Sequence, residues 1–282
     1  MKNIILSTTL LLLASTTASA NEASSERFTQ QQQEQIGRIA ENYFSAHPEK
    51  ASEAISIYLA EHPEFLVAAE ENLRQRQQLM QQQTLQQMAE LHQQDLLNQN
   101  SPMVGPQDAK TAVVMFFDYQ CAYCSKMAPV IEAVIKQNPG VRFIFKELPI
   151  FAARWPVSGY AARVGEKIWH EKGGKAYLSY HNALYATHHI EGQLATADVN
   201  SAAASFLSPQ QLKMLVHVET STAEVAALSA NAQLAQQLNF TGTPAFVVMP
   251  QTKNPQTNQI SVFPGSTTGD VLQAAIVKAS GG

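Results

Sequence analysis

The two cysteines of this 282-residue chain lie in one short segment, Cys121-Ala122-Tyr123-Cys124. A disulfide at this spacing closes almost no loop, so it would constrain the unfolded chain very little. The same spacing lets one thiolate attack a foreign disulfide and lets the second thiol release the mixed disulfide that forms. The sequence therefore predicts thiol–disulfide exchange, with Cys121 as the attacking thiol and Cys124 as the resolving thiol.

Two other interpretations of the cysteine pair are weaker. A structural zinc site needs about four ligands, whereas the chain has no further cysteine, and His181, His188 and His189 lie far away without a matching pair spacing. We therefore expect neither a metal nor a cofactor. An inert buried pair is disfavoured because the cysteines lie between a predicted strand and a predicted helix.

The cysteines follow a continuous apolar run within 111–119, which is typical of a strand buried on both faces. A helix pattern comes next and ends near Asn138-Pro139-Gly140. The start of a helix presents unpaired N–H groups and a partial positive charge, so a thiolate there is stabilised and its pKa falls. The segment 141–147 reads as a second strand, which completes a strand–helix–strand unit.

The remainder of the chain continues this mixed pattern. Residues from about 155 to 238 are mainly helical, 243–249 and 260–263 read as strands, and 268–279 reads as a closing helix. We expect an aromatic group in the helical stretch to belong to its core and assign it no chemistry: Trp155, Trp169, Tyr177, Tyr180 and Tyr185.

Three segments carry a resemblance to a known family. Phe116–Cys124 resembles the active-site segment of DsbA/DsbG-like periplasmic thiol–disulfide oxidoreductases. Lys146-Glu147-Leu148-Pro149 is similar to the stretch after the next strand, and Gly242-Thr243-Pro244-Ala245-Phe246 is similar to the cis-proline loop. The resemblance implies an α/β, thioredoxin-like fold over residues 109–282, with a helical insertion at about 155–238.

The resemblance also implies further site residues. Pro244 would be the cis-proline facing the cysteines, with Thr243 before it, and this loop would pair with an extended substrate strand. An ordinary trans proline beginning a strand is the alternative. Asp118 and Glu147 could relay a proton to the buried cysteine. They could equally be surface or strand-end charges.

Two positions depart from the pattern of DsbA. Met115 stands where DsbA has a glutamate, so a proton relay cannot be carried over directly from DsbA. Tyr123 replaces the histidine of the DsbA motif, which removes one electrostatic stabiliser of the thiolate. We therefore expect this protein to be a milder oxidant than DsbA.

The first twenty residues have the pattern of a secretory signal peptide. Lys2 supplies the positive start, 4–14 an apolar run too short to span a bilayer comfortably, and Ala18-Ser19-Ala20 a small-residue cleavage site. We expect residues 1–20 to be removed and the mature protein to lie in the periplasm without stable membrane insertion. An uncleaved N-terminal anchor is the alternative.

Residues 21–98 are glutamine-rich and helical in pattern, and 99–108 reads as a linker. Helices are predicted near 29–46, 48–61 and 63–98 because each His-Pro step should end one helix and begin the next. The third helix carries a narrow apolar stripe that it cannot bury alone: Leu66, Leu73, Met80, Leu85, Met88 and Leu91. We therefore expect self-association through these helices. A disordered glutamine-rich tail is the alternative.

The partners follow from charge and from the resemblance. A formal net charge of −4 with 15% charged residues argues against a nucleic-acid partner, which would need a basic face. Relatives that isomerise or reduce disulfides are commonly oligomeric and have Thr before the cis-proline. The resemblance thus implies an oligomeric disulfide isomerase or reductase, able to oxidise as well, acting on exported cysteine-containing proteins with a membrane redox partner. A plain dithiol oxidase, or a chaperone or adaptor that binds clients through its helices, are the alternatives.

Overall fold

The computed structural model describes residues 28–216 and 223–281. The predicted signal peptide, residues 1–20, lies outside the described residues. The chain divides into two compact units, one ending at Asn72 and one beginning at Leu73.

The N-terminal unit is helical. Helix α1 spans Gln30–Ala46, α2 spans Pro48–Glu61, and α3 (Glu64–Leu91) begins within this unit. The Thr29 side chain accepts a hydrogen bond from the Gln32 backbone, and the Gln32 side chain accepts one from the Thr29 backbone. This capping box fixes the start of α1. Pro48 begins α2, where its missing N–H costs nothing. The first two predicted helices are therefore confirmed.

The apolar side chains of this unit are exposed. Neither α1 nor α2 contains a buried residue. Large hydrophobic side chains at least 47% exposed occur along α1, α2 and the start of α3: Ile36, Ile39, Tyr43, Phe44, Ile55, Ile57, Tyr58, Phe65, Leu66 and Val67. Burial of such side chains is what normally stabilises helices in proteins, so this unit has no core of its own among its described residues.

The C-terminal unit is built on a five-stranded sheet. Its strands are β1 (Met103–Val104), β2 (Thr111–Phe117), β3 (Arg142–Glu147), β4 (Ala245–Pro250) and β5 (Ser261–Phe263). The strand order is β1-β3-β2-β4-β5, with β2 and β3 parallel and the other pairs antiparallel. Every residue of the central β2 is buried, as its apolar run predicts. This strand delivers the chain to the cysteines.

Helices cover both faces of the sheet. In chain order they are α4 (Gln93–Leu96), α5 (Ala122–Gln137), α6 (Pro156–Ala186), α7 (Thr196–Ala203), α8 (Pro209–Val216), α9 (Ala223–Gln237) and α10 (Gly269–Ala279). Side chains of α5, α6 and α10 form one core with one sheet face, and α9 shares a second core with the opposite face. The predicted α/β fold with a helical insertion is confirmed.

The third predicted helix, 63–98, is wrong in extent. Helix α3 ends at Leu91, and α4 follows after a turn at His92. The stripe on this helix also divides in two, because Leu85 is buried against the sheet with Met88 beside it, whereas Leu91 is 72% exposed. We call residues 85–96 the strap. Its buried side chains share a core with the chain's own sheet and with Leu234 and Ala235, partners that the apolar spacing could not specify.

The predicted linker, 99–108, does not separate the two units. It contains β1, whose Met103 pairs with Ile144 of β3, and the Phe145 backbone donates a hydrogen bond of 2.8 Å to the Pro102 carbonyl. Pro and Gly marked this stretch as a turn, but a two-residue edge strand is too short to leave an alternating pattern. The C-terminal unit therefore begins at Leu73, not near residue 109.

Within 28–216 and 223–281, no helix combines the length and the hydrophobicity that crossing a bilayer requires. The same part of the chain contains no group of three or more His, Cys, Asp or Glu that could hold a metal ion.

Candidate active site

Cys121 is the N-cap of α5 and Cys124 lies in the first turn of that helix. A three-residue turn joins β2 to Cys121, and the Cys121 backbone donates to the Asp118 carbonyl at 3.0 Å. Both cysteines are free thiols. Cys124 is fully buried, whereas a small part of Cys121 reaches the surface. The strand and the helix thus place one thiol at the edge of the domain and the other behind it.

The two thiols have opposite acidities. The hydrogen bond with Cys124 lowers the pKa of Cys121 to about 6, against burial and with help from Thr243 and the Cys124 and Tyr123 backbone. Burial raises the pKa of Cys124 well above its usual range, and its contacts with Cys121 raise it further. At neutral pH the sulfur of Cys121 is therefore a thiolate and that of Cys124 a thiol.

The Thr243–Pro244 peptide bond is cis, as predicted. The loop that contains it faces the nucleophile, because Cys121 Sγ lies 3.2 Å from the Thr243 carbonyl oxygen. The buried Thr243 hydroxyl has no hydrogen-bond partner within the described residues, and it lowers the pKa of both thiols. This hydroxyl therefore acts on the acidity of the two thiols without a geometric hydrogen bond to either sulfur.

Asp118 is buried, so its interpretation as a surface charge is wrong. Its Oδ1 accepts hydrogen bonds from the Gln120 backbone and the Ser158 hydroxyl at 2.8 Å each, and its Oδ2 accepts one from the Phe151 backbone at 2.9 Å. Burial raises the pKa of Asp118, while these hydrogen bonds lower it. The carboxylate ties the turn before Cys121 to the start of α6.

Glu147 is fully buried at the end of β3, so its interpretation as an exposed strand-end charge is also wrong. Its Oε1 accepts hydrogen bonds from Tyr177 at 2.9 Å and from Tyr119 at 3.1 Å. Burial raises the pKa of Glu147 well above its usual range, and the neighbouring Glu166 adds to the effect. Among the hydrogen bonds of the described residues, none joins the side chain of Asp118 or Glu147 to a cysteine sulfur.

Tyrosines of α6 contact the site, which the sequence analysis missed. Tyr177 binds Glu147, and the Tyr185 hydroxyl donates to the Asp118 carbonyl at 3.1 Å. Both lie in the core, as predicted. Their spacing of eight residues places them on one face of a helix, but nothing in that spacing says that the face meets the turn before the cysteines.

Gln120 joins the same turn to a second loop. Its Oε1 accepts a hydrogen bond from the Gly192 backbone at 2.8 Å, and its carbonyl accepts one from the Glu191 backbone at 3.0 Å. Both partners have positive φ, at 93° and 51°. Asp118 and Gln120 therefore hold the residues before Cys121 from two sides.

Tyr123, which replaces the histidine of DsbA, is 62% exposed, with the Lys126 ammonium 5.4 Å from its ring centroid. Met115, the other departure, is a core residue of β2. The pKa of Cys121 is thus lowered without a histidine in the motif, through Cys124, Thr243 and the helix backbone.

A family model described as thioredoxin matches residues 97–259, more than half of the chain. The chain belongs to the thioredoxin family. BcfH of Salmonella enterica Typhimurium is 57% identical to this thioredoxin-family protein; the match covers 86% of the chain and 99% of BcfH, with a TM-score of 0.78. The catalytic domain of Proteus mirabilis ScsC is 26% identical over 70% of the chain and 99% of that domain, with a TM-score of 0.55.

A thioredoxin-like oxidoreductase from Silicibacter pomeroyi DSS-3 is 29% identical, covering 67% of the chain and 98% of that protein with a TM-score of 0.54. These matches confirm the resemblance to DsbA-like thiol–disulfide oxidoreductases that the three sequence segments carry. Two curated relatives, the Na(+)/H(+) antiporters NhaA 1 of Salinispora arenicola and NhaA 3 of Salinispora tropica, match at 27% over 95 residues and 29% over 82. The chain spans 14% and 12% of their lengths.

Proposed function

We propose that Cys121 and Cys124 exchange disulfides with exported proteins. The Cys121 thiolate attacks one sulfur of a client disulfide, forms a mixed disulfide and releases the other client sulfur as a thiolate. If that client thiolate attacks a different client disulfide, a second client thiolate is released, which attacks the mixed disulfide, forms the rearranged client disulfide and frees Cys121 as a thiolate. If Cys124 loses its proton and attacks Cys121, the client leaves reduced and the two cysteines are joined.

The observation that carries this proposal is the difference in acidity between the two thiols. A pKa of about 6 keeps Cys121 ionised at neutral pH, and burial keeps Cys124 protonated until a mixed disulfide has formed. The positions of the two cysteines at the start of α5 therefore give Cys121 the attacking role and Cys124 the resolving role. A pair of equal thiols would not separate the two steps.

We assign client binding to Thr243 and Pro244. The Thr243 carbonyl lies 3.2 Å from Cys121 Sγ, and β4 begins directly after Pro244. An extended client chain that pairs with the backbone here would bring its disulfide to Cys121.

Of the two carboxyl groups, we assign proton exchange to Glu147 and turn positioning to Asp118. Three hydrogen bonds already occupy the Asp118 carboxylate. Glu147 Oε2 has no hydrogen-bond partner within the described residues, and burial favours the protonated form of this carboxyl group.

The location and the assembly rest on the N-terminal region. The signal pattern of residues 1–20 supports export to the periplasm, where a membrane protein would restore the redox state of the cysteines. The exposed apolar side chains of α1, α2 and the start of α3 support self-association with further copies of this chain. Such an oligomer favours isomerase and reductase activity, because several Cys121 sites can act on one client.

The activity is tested with insulin reduction and scrambled-ribonuclease reactivation. We expect Cys121→Ala to abolish both, whereas Cys124→Ala should lose insulin reduction and retain part of the reactivation, since rearrangement needs only the attacking thiol. Equal activity of Cys121→Ala and the wild type would overturn the enzyme assignment.

Alkylation trapping in intact cells tests the direction of exchange. We expect mostly reduced Cys121 and Cys124, as an isomerase or reductase requires. Mostly oxidised cysteines would instead support the dithiol oxidase. Client protection that survives loss of both cysteines would support the chaperone or adaptor.

A further inference from the structure

Two buried carboxyl groups lie at the contact between β3 and α6. Glu147 ends the strand, Glu166 lies in the helix, and both side chains are 0% exposed. Carboxylates are rarely buried completely unless a cation or several hydrogen bonds compensate for the lost water.

The expected compensation is incomplete. Neither oxygen of Glu166 has a hydrogen-bond partner within the described residues, and Glu147 has one bonded oxygen, Oε1. Lys146 is the nearby cation, but its ammonium donates to the Asp95 carbonyl at 2.8 Å and to the Ser101 hydroxyl at 2.7 Å. An uncharged carboxyl group tolerates such surroundings far better than a carboxylate does.

Gly165 brings the strand carboxyl onto the helix. A Cβ at this position would lie 2.6 Å from Glu147 Oε1 and 3.2 Å from the Tyr177 ring. The Glu147 carboxyl thus rests directly on the α6 backbone, one residue before Glu166. This glycine is what allows the Glu147 carboxyl group to reach the helix.

Tyr119 connects this contact to the nucleophile. Its hydroxyl donates to Glu147 Oε1 at 3.1 Å, and its backbone lies within the turn that the Cys121-to-Asp118 hydrogen bond closes. A change of charge at Glu147 therefore acts on a side chain two residues before Cys121.

We propose that Glu147 and Glu166 form a buried acid pair that retains a proton in the folded enzyme, and that the charge on this pair controls the reactivity of Cys121 through Tyr119. Glu147 and Glu166 are positioning residues in this step, since neither touches a sulfur. The proposal rests on the assignment of Cys121 as the attacking thiol and deepens the role given above to Glu147.

The surroundings of the pair favour a neutral form at pH 7. Burial raises the pKa of Glu166 to about 8, although Lys146 lowers it, and the pKa of Glu147 is raised as well. The titratable groups that face the pair from each packed element are Asp118 and Tyr119 after β2, Lys146 on β3, Tyr177, Tyr180, His181 and Tyr185 on α6, and Glu224 on α9. Burial lowers the pKa of His181 to about 4, so it adds no positive charge.

The test is the pH profile of Cys121 alkylation by iodoacetamide in the full chain with Cys124→Ser. This background leaves one thiol, and the serine hydroxyl can still donate to Cys121. We expect a first rise near pH 6 as Cys121 ionises, then a second rise of about two- to threefold between pH 7 and 9.5, because a thiolate near a new negative charge becomes more nucleophilic.

Glu166→Gln should abolish the second rise and leave the first, and Glu147→Gln should also abolish the second rise. Glu171→Gln, an exposed glutamate of the same helix, should keep both rises. A single rise in the Cys124→Ser protein, or a second rise that persists in either pair variant, would overturn the proposal. Failure of the first rise would instead contradict the function assigned to Cys121, so the two failures are distinguishable.

Discussion

At the scale of single residues, the chemistry depends on a few hydrogen bonds around two sulfurs. Cys121 is ionised because Cys124, Thr243 and the first amides of α5 surround its sulfur. Cys124 stays protonated because it is buried. These contacts are local, so single substitutions should change the acidity of Cys121 without changing the fold.

Thr243→Val should raise the pKa of Cys121, because the valine keeps the shape of the side chain but lacks the hydroxyl donor. Loss of this polar contact with the thiolate should cost about 1 kcal/mol, which corresponds to about threefold less thiolate at pH 6. Thiolate absorbance at 240 nm against pH measures this change. Thr252→Val, at an exposed position after β4, is the matched control and should leave the titration unchanged.

Tyr123→His should make the protein more oxidising. A histidine next to the start of α5 would stabilise the Cys121 thiolate further, and with it the reduced form of the enzyme. A gain of about 1.4 kcal/mol corresponds to about 30 mV in the reduction potential. Equilibration with glutathione buffers measures the potential. A potential that falls or stays equal in the variant would contradict the expected role of this position, as would a wild-type potential equal to that of DsbA.

At the scale of elements, the contact between α6 and β3 is unusual because it contains two completely buried carboxyl groups. The strand places Glu147 against the helix, Gly165 provides the space for it, and two tyrosines bind its carboxyl. Polar groups at such a contact make its stability sensitive both to volume and to pH.

Gly165→Ala should weaken this contact, because the added carbon would lie 2.6 Å from Glu147 Oε1. Overpacking of this kind typically lowers the free energy of unfolding by about 1–3 kcal/mol. Urea denaturation followed by circular dichroism measures the loss. Gly37→Ala in α1 meets nothing within 4 Å and should be neutral or gain up to about 1 kcal/mol. Equal stabilities of the two variants would contradict the steric argument.

The same contact should lose stability as the pH rises. Glu166 has a folded pKa of about 8 against 4.5 in its ordinary state. Its stabilising contribution is therefore complete below pH 4.5 and is lost as the pH rises through about 8. Relative to Glu166→Gln, the wild type should lose on the order of a few kcal/mol of unfolding free energy between pH 5 and 9. Guanidinium denaturation of both proteins at pH 5, 7 and 9 checks this; a constant difference would contradict it.

At the scale of the whole molecule, the boundary between the two units governs how function and assembly can be separated. The catalytic unit begins at Leu73 and includes the strap. Gln86 donates to the Ile260 carbonyl at 2.9 Å, and Lys146 binds the Asp95 carbonyl. The strap is therefore part of the catalytic unit, although it continues the N-terminal helices.

Deletion of residues 21–72 should give a monomer with more oxidase and less isomerase activity. It removes the exposed apolar side chains that we assign to self-association and leaves the compact unit from Leu73 intact. Light scattering and scrambled-ribonuclease reactivation measure the two effects. Deletion of residues 21–98 is the informative comparison, because it also uncovers the sheet face under the buried Leu85 and Leu96 and should cost several kcal/mol of stability. Unchanged assembly after the shorter deletion would contradict the oligomer.

The sequence predicted the parts of the molecule that depend on near neighbours. The cysteine motif, the β2–α5–β3 unit and the first two helices follow from local pattern, and the cis bond before Pro244 followed from the family resemblance. The strap, β1 and the carboxyl contact of α6 could not be predicted in the same way. Each depends on which distant element lies opposite, and a side chain's spacing along its own helix or strand does not contain that information.

The strap has a consequence for the order in which the protein acquires its structure. Its apolar side chains are synthesised early, yet the core that receives them includes Ile260 and Val262, more than 160 residues later in the chain. A ribosome or a secretion channel releases the chain from its N-terminus, so the part of this core that Ile260 and Val262 supply is missing until β5 has emerged. The catalytic unit is thus completed late in synthesis. A chain that ends anywhere before β5 should be aggregation-prone and sensitive to proteases.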